Sequence, residues 1–89
     1  MKKLTLVSRF KKDVRLAARR QLDLEKHDAI VRDLRRGRMP ASRHSPHKLS
    51  GNYRGTWECH IEPDWLPVWY QDDEEVRLVR TGSHSDLFE

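Results

Sequence analysis

Eighty-nine residues make one domain, 1–89, and leave too little chain for a second independent core. Hydrophobic and charged residues each make up 36%, and no apolar run exceeds Trp65 to Tyr70, far short of the roughly 20 residues a membrane-spanning helix needs. The net charge of +4 is divided unevenly: residues 1–55 carry 16 Lys/Arg against 5 Asp/Glu, giving +11, and residues 56–89 carry 2 against 9, giving −7, so a polyanion or an acidic protein is the expected partner of the first half.

The N-terminus opens Met1-Lys2-Lys3, but charge returns at Arg9, too early for the apolar stretch of a secretion signal. Leu4 to Val7 reads as a short strand, and Ser8 is placed to cap a helix. From Arg9 to about Gln21, Phe10, Val14, Ala17 and Ala18 recur at helical spacing. Asp23 is a second cap, opening a helix from Leu24 to Arg36 with Leu24, Ile30, Val31 and Leu34 as its apolar stripe and His27 among surface positions. Arg35 and Arg36 complement the helix dipole, and Gly37 stops it. Arg38 to Arg54 shows no period, carries Pro40, Pro46 and Gly51, and reads as a long functional loop holding His44 and His47.

The period then changes to two. Thr56 to Glu62 alternates Trp57, Cys59 and Ile61 with Glu58, His60 and Glu62, which predicts a half-buried antiparallel strand. Pro63-Asp64 turns the chain into a strand from Trp65 to Tyr70, where Pro67 sits awkwardly in a middle position. Asp72-Asp73-Glu74 turns again, Glu75 to Thr81 is the last strand, and Ser83 to Phe88 is a tail or helical turn. The expectation is α+β: a strand and a two-helix hairpin packed on one face of a small antiparallel meander, the other face open.

Five histidines invite a metal reading, with His44, His47, Cys59 and His60 as ligands. Adjacent strand residues point to opposite faces, however, so Cys59 and His60 cannot converge, and Cys59 falls on the apolar side. The lone thiol fits a reducing cytoplasm. A more coherent set is His60, Asp64, His84 and His47 with Arg80, all at strand ends or in loops. Metal-free RNA cleavage needs a base for the 2′-hydroxyl, an acid for the departing 5′-oxygen and a cation for the charged phosphorane. Histidine, with a pKa of about 6.5, serves as either acid or base. Arg80 shares strand parity with Val76 and Leu78, so a bulge is needed to turn it toward the polar face.

Three segments together resemble a known family: His47-Lys48-Leu49-Ser50-Gly51, then His60-Ile61-Glu62-Pro63-Asp64-Trp65, then Arg80-Thr81-Gly82-Ser83-His84 through Phe88. Over essentially the whole chain the sequence resembles the YafQ-type mRNA interferase toxins of the RelE/ParE superfamily. The resemblance implies a RelE-like fold and a cytoplasmic bacterial endoribonuclease, cutting mRNA in the ribosomal A site without metal or other cofactor. It implies silencing by a DinJ/RelB-like antitoxin in a heterotetramer. It implies His84 as the acid, and His60 or His47, oriented by Asp64, as the base, with Arg80 as the strand-end cation. It places Trp65 and Phe88 against substrate; Arg54, Arg43 and Lys48 are the phosphate-binding candidates beside them. The alternatives are a ParE-like gyrase inhibitor and a silent antitoxin-binding protein.

Overall fold

The structure, a computed structural model, describes residues 1–88. Strand β1 (Lys3–Leu6) leads into α1 (Ser8–Arg19) and α2 (Leu24–Arg35), followed by β2 (His47–Lys48), β3 (Trp57–Glu58), β4 (Leu66–Gln71), β5 (Glu75–Gly82) and the five-residue α3 (His84–Phe88). The five strands form one sheet in the order β1-β5-β4-β3-β2. β2 to β5 are antiparallel to their neighbours, but β1 runs parallel to β5, so the sheet is mixed and not wholly antiparallel as expected. The parallel pair follows from the hairpin: α1 and α2 carry the chain back across one face, and the meander then returns it beside β1 in the same direction.

Both helices form where the 3.6 period places them. Asp23 caps α2 by accepting from the Glu25 N–H, and Gly37, in the left-handed region at φ +78°, closes it. Ser8 is not a cap: Val7 still donates its N–H to Leu78 O, so the helix begins directly off the strand and Ser8 lies inside its first turn. Phe10 from α1 and Ile30, Val31 and Leu34 from α2 are buried against Trp65, Trp69, Val76 and Leu78 of the sheet region. Trp65 and Trp69 bury the most apolar surface of any side chains in this layer, at about 25 cal/mol per Å².

The second face is less open than expected. Leu66 and Val68 pack there on Leu87 of α3, with Leu49, Tyr53 and Val79 around them. β4 is therefore covered on both sides, which explains its unbroken apolar run. Pro67 is tolerated because β3 ends at Glu58, opposite Val68, so Pro67 has a ladder partner on the β5 side alone. The predicted strand Thr56 to Glu62 shrinks to two residues. Beyond Glu58 the chain leaves the ladder and makes a tight loop closed by Ile61 N–H to Trp65 O, although Cys59 and Ile61 are still buried. The long segment after α2 is more ordered than its composition suggests, with short 3₁₀ turns at Ser42–His44 and Gly51–Tyr53 flanking β2.

Candidate active site

Five residues are too few for a helix to hold itself together, so α3 depends on its anchors. Asp86 and Ser83 cap each other: Ser83 N–H donates to Asp86 Oδ2 at 2.9 Å and Asp86 N–H to Ser83 Oγ at 3.1 Å. Tyr53 donates its hydroxyl to Leu87 O at 3.2 Å. Arg80 reaches the same helix by donating from Nη2 to Asp86 O at 3.4 Å. A bulge turns Arg80 this way: β4–β5 pairing jumps from Val68↔Arg80 to Trp69↔Leu78, leaving Val79 as the extra residue.

The anchored helix presents His84 to solvent beside the loop that follows β3. Asp64 Oδ1 accepts from both the His84 backbone N–H, at 3.0 Å, and the imidazole Nδ1, at 2.8 Å. A carboxylate only accepts, so Nδ1 carries a proton and Nε2 faces outward. The two hydrogen bonds, backbone first, hold the Asp64 carboxyl below its usual range. The His60 ring lies 5.7 Å from the His84 ring and the Phe88 ring 6.2 Å from it. Phe88, 46% exposed, stands edge-on to Tyr53 at 5.6 Å, leaving an aromatic face for an unstacked base.

His60 is fixed by His44, from the long loop after α2. His44 Nδ1 meets His60 O at 2.7 Å, and His60 N–H donates to His44 O at 2.7 Å. The His60 ring is half exposed, with Nδ1 3.3 Å from Pro63 O and Nε2 free.

Other expected site residues lie elsewhere or are occupied. Asp64 orients His84, not His60 or His47. His47 has both ring nitrogens engaged, Nδ1 on Ser45 O at 2.8 Å and Nε2 on the buried Glu58 at 2.8 Å, so neither is left for a substrate. Trp65 is 2% exposed and donates to Thr81 Oγ1, so it is core and no substrate can touch it. Arg80 is enclosed by Asp13 (2.7 and 3.3 Å) and the Tyr53 hydroxyl (3.1 Å), a structural ion pair rather than a presented cation. Arg43 and Arg54 are exposed, and Lys48 lies 5.5 Å over the Trp57 ring. His27 is buried between Phe10 and Trp65, contrary to the surface placement expected. Burial pushes the Cys59 thiol up to about 12, with the charge of Glu58 adding to the shift, so it stays protonated. Among the described residues no three His, Cys, Asp or Glu side chains are grouped to hold a metal ion.

The family model for the bacterial toxin of type II toxin–antitoxin systems, YafQ, matches residues 2–89. The chain belongs to the YafQ family. It is 34% identical over 80 residues to the mRNA interferase toxin YafQ of Escherichia coli K12, covering 89% of this chain and 87% of that one. The E. coli DinJ–YafQ toxin–antitoxin complex contains a chain 30% identical, with a TM-score of 0.91 over 99% of this chain and 98% of that one. A metal-bound toxin from Helicobacter pylori is 31% identical, with a TM-score of 0.90 over 99% of this chain and all of that one. The YafQ likeness thus extends over the α+β fold, helices and mixed sheet together.

Proposed function

We propose that this toxin is an mRNA endonuclease working in the ribosomal A site by acid–base catalysis, with His84 and His60 as the exchanging pair. The observation that carries the reading is the Asp64-bound His84 facing His60 across 5.7 Å on an exposed surface. His60 Nε2 takes the proton of the 2′-hydroxyl, and the freed oxygen attacks the adjacent phosphorus. The bond to the 5′-oxygen breaks, and protonated His84 gives its Nε2 proton to that leaving group, leaving a 2′,3′-cyclic phosphate. Asp64 supports the protonated ring and fixes its direction, as a carboxylate does for a catalytic imidazole. Phe88 stacks on a base beside the scissile bond. The step as written needs no metal, and the acidic antitoxin partner covers part of the basic surface from which Arg43 and Arg54 project.

Primer extension on an mRNA in a reconstituted translation reaction tests this. The expected result is defined in-frame cuts by the wild type, unchanged by EDTA at a magnesium level that keeps ribosomes intact, and none by His84→Ala. Cuts on free RNA at equal rate would remove the ribosome from the reading. No cuts by a folded wild type would leave a silent antitoxin-binding protein.

A further inference from the structure

Arg20 is the last residue before the α1–α2 turn, where Gln21 adopts φ +60° and Leu22 N–H closes back on Ala17 O. A left-handed non-glycine residue is strained, so this turn is held by its surroundings. From it Arg20 spans 66 positions to grip Asp86 with both nitrogens, Nη1 to Oδ2 at 2.6 Å and Nη2 to Oδ1 at 3.2 Å. Such a bidentate pair fixes angle as well as distance. The same Asp86 oxygen caps Ser83, and the side chain lies so close over Gly82 that a Cβ there would come within 2.8 Å of it. Residue 82 must therefore be glycine for Asp86 to occupy this place. Arg20 holds the Asp86 carboxyl far below the usual range, and Arg20 is itself raised by Asp86 first and also by the charge of Asp64. Its guanidinium thus holds the carboxylate that caps the first turn of α3, one residue before His84.

We propose that Arg20 is a positioning residue for His84, acting through Asp86 and its cap on Ser83 to set the entry of α3 and hence the direction of the imidazole. This rests on His84 being the catalytic acid. The groups facing His84 are Asp64, His60 and Phe88, with Arg20 reaching it through Asp86 and the Ser83 cap. Because Arg20 is 44% exposed at the side chain, its loss leaves the core intact. A misplacement near 1 Å costs up to about 10²-fold in rate.

The test is the single-turnover cleavage rate as a function of toxin concentration on programmed ribosomes, for Arg20→Met, Asp86→Asn, their double variant and Arg20→Lys. Expected is a maximal rate lowered about 10²-fold in Arg20→Met with the half-saturating concentration unchanged, and a similar loss in Asp86→Asn. The double variant should be no worse than either single one, because both act through one contact. Arg20→Lys should recover part of the rate. A raised half-saturating concentration at unchanged maximal rate would make Arg20 a phosphate contact and overturn the proposal, as would additive losses. His84→Ala run alongside separates the two readings: if it cleaves normally the catalytic assignment falls, and if it is inactive while Arg20→Met is unimpaired only this inference falls.

Discussion

On the hairpin side of the sheet, Phe10, Ile30, Leu34, Trp65 and Trp69 are sealed in a large apolar layer. On the α3 side the buried apolar cluster of the described residues is small, Leu66, Val68 and Leu87, and the helix is held down by Asp13–Arg80, Tyr53–Leu87 and Arg20–Asp86. The first arrangement tolerates no loss of volume. The second tolerates loss of volume poorly and misdirection not at all, because its anchors set the position of His84. On the proposed function, stability and activity are carried by different faces of one sheet, and substitutions should separate them.

The largest effects make the sharpest contrast. Trp69→Ala should cost about 3–5 kcal/mol, a large share of the stability of a domain this size, read as a shift in the urea midpoint. His84→Ala should change that midpoint by less than about 0.5 kcal/mol while cleavage falls about 10²–10⁴-fold. A strongly destabilised His84→Ala would show that the two faces are one cooperative unit. Arg80→Met tests the boundary between them. It strands the Asp13 carboxylate, 8% exposed, with only the Thr81 N–H and the exposed Arg9 at 3.7 Å. A loss of about 3 kcal/mol is expected, with Asp13→Asn added to Arg80→Met recovering most of it. No change in stability from Arg80→Met alone would return this arginine to the list of presented cations.

How much of this was legible differs by face as well. The apolar layer follows from period: Phe10, Val14 and Ala17 stand four and three residues apart on α1, Leu34 stands four and three after Ile30 and Val31 on α2, and Val76 and Leu78 stand two apart. Even His27 was readable, since it stands three, four and seven positions before Ile30, Val31 and Leu34, on their stripe. Chemistry drew it outward, whereas spacing placed it inside. Trp65 goes the opposite way: the resemblance of its His60–Trp65 block puts it against substrate, and the fold buries it. The α3 anchors had no local signal: Arg20 and Asp86, or Asp13 and Arg80, lie more than sixty residues apart and meet only once the sheet is formed. The capping pair Ser83 and Asp86 is the exception, three residues apart and visible in the sequence.

His27 yields a smaller effect, confined to the apolar face. Burial lowers its pKa, and the Asp28 carboxylate 3.5 Å from Nδ1 offsets this only in part. The unfolded chain therefore binds a proton near pH 6.5 that the folded chain refuses, so stability is full above that pH and falls as pH drops toward the lowered folded value. The slope is at most about 1.4 kcal/mol per pH unit for one proton. Asp64 and Asp86, whose folded pKa values are depressed, lose their contribution only at pH values below about 4, so the windows do not overlap. Urea midpoints between pH 7 and 5 should fall for the wild type and stay nearly flat for His27→Phe. A wild-type slope that survives in His27→Phe would assign the proton to another histidine.

The smallest effect belongs to the exposed arginines, which neither seal the core nor anchor α3. Arg43 lies in the first 3₁₀ turn and Arg54 just after the second, and neither guanidinium has a protein partner among the ion pairs and hydrogen bonds of the described residues. A free guanidinium at such a place is available for phosphate, and each phosphate it neutralises releases a counterion. Binding to programmed ribosomes should then weaken steadily with salt, and removing one contact should make the logarithmic slope shallower by about 0.7–1. Arg43→Ala and Arg54→Ala should do this without altering the maximal cleavage rate or the urea midpoint. That combination is the mirror image of Arg20→Met, which lowers the rate and leaves the salt slope alone. If either variant instead keeps the wild-type slope, its arginine touches no phosphate, and the basic charge of the first half is read by the antitoxin alone.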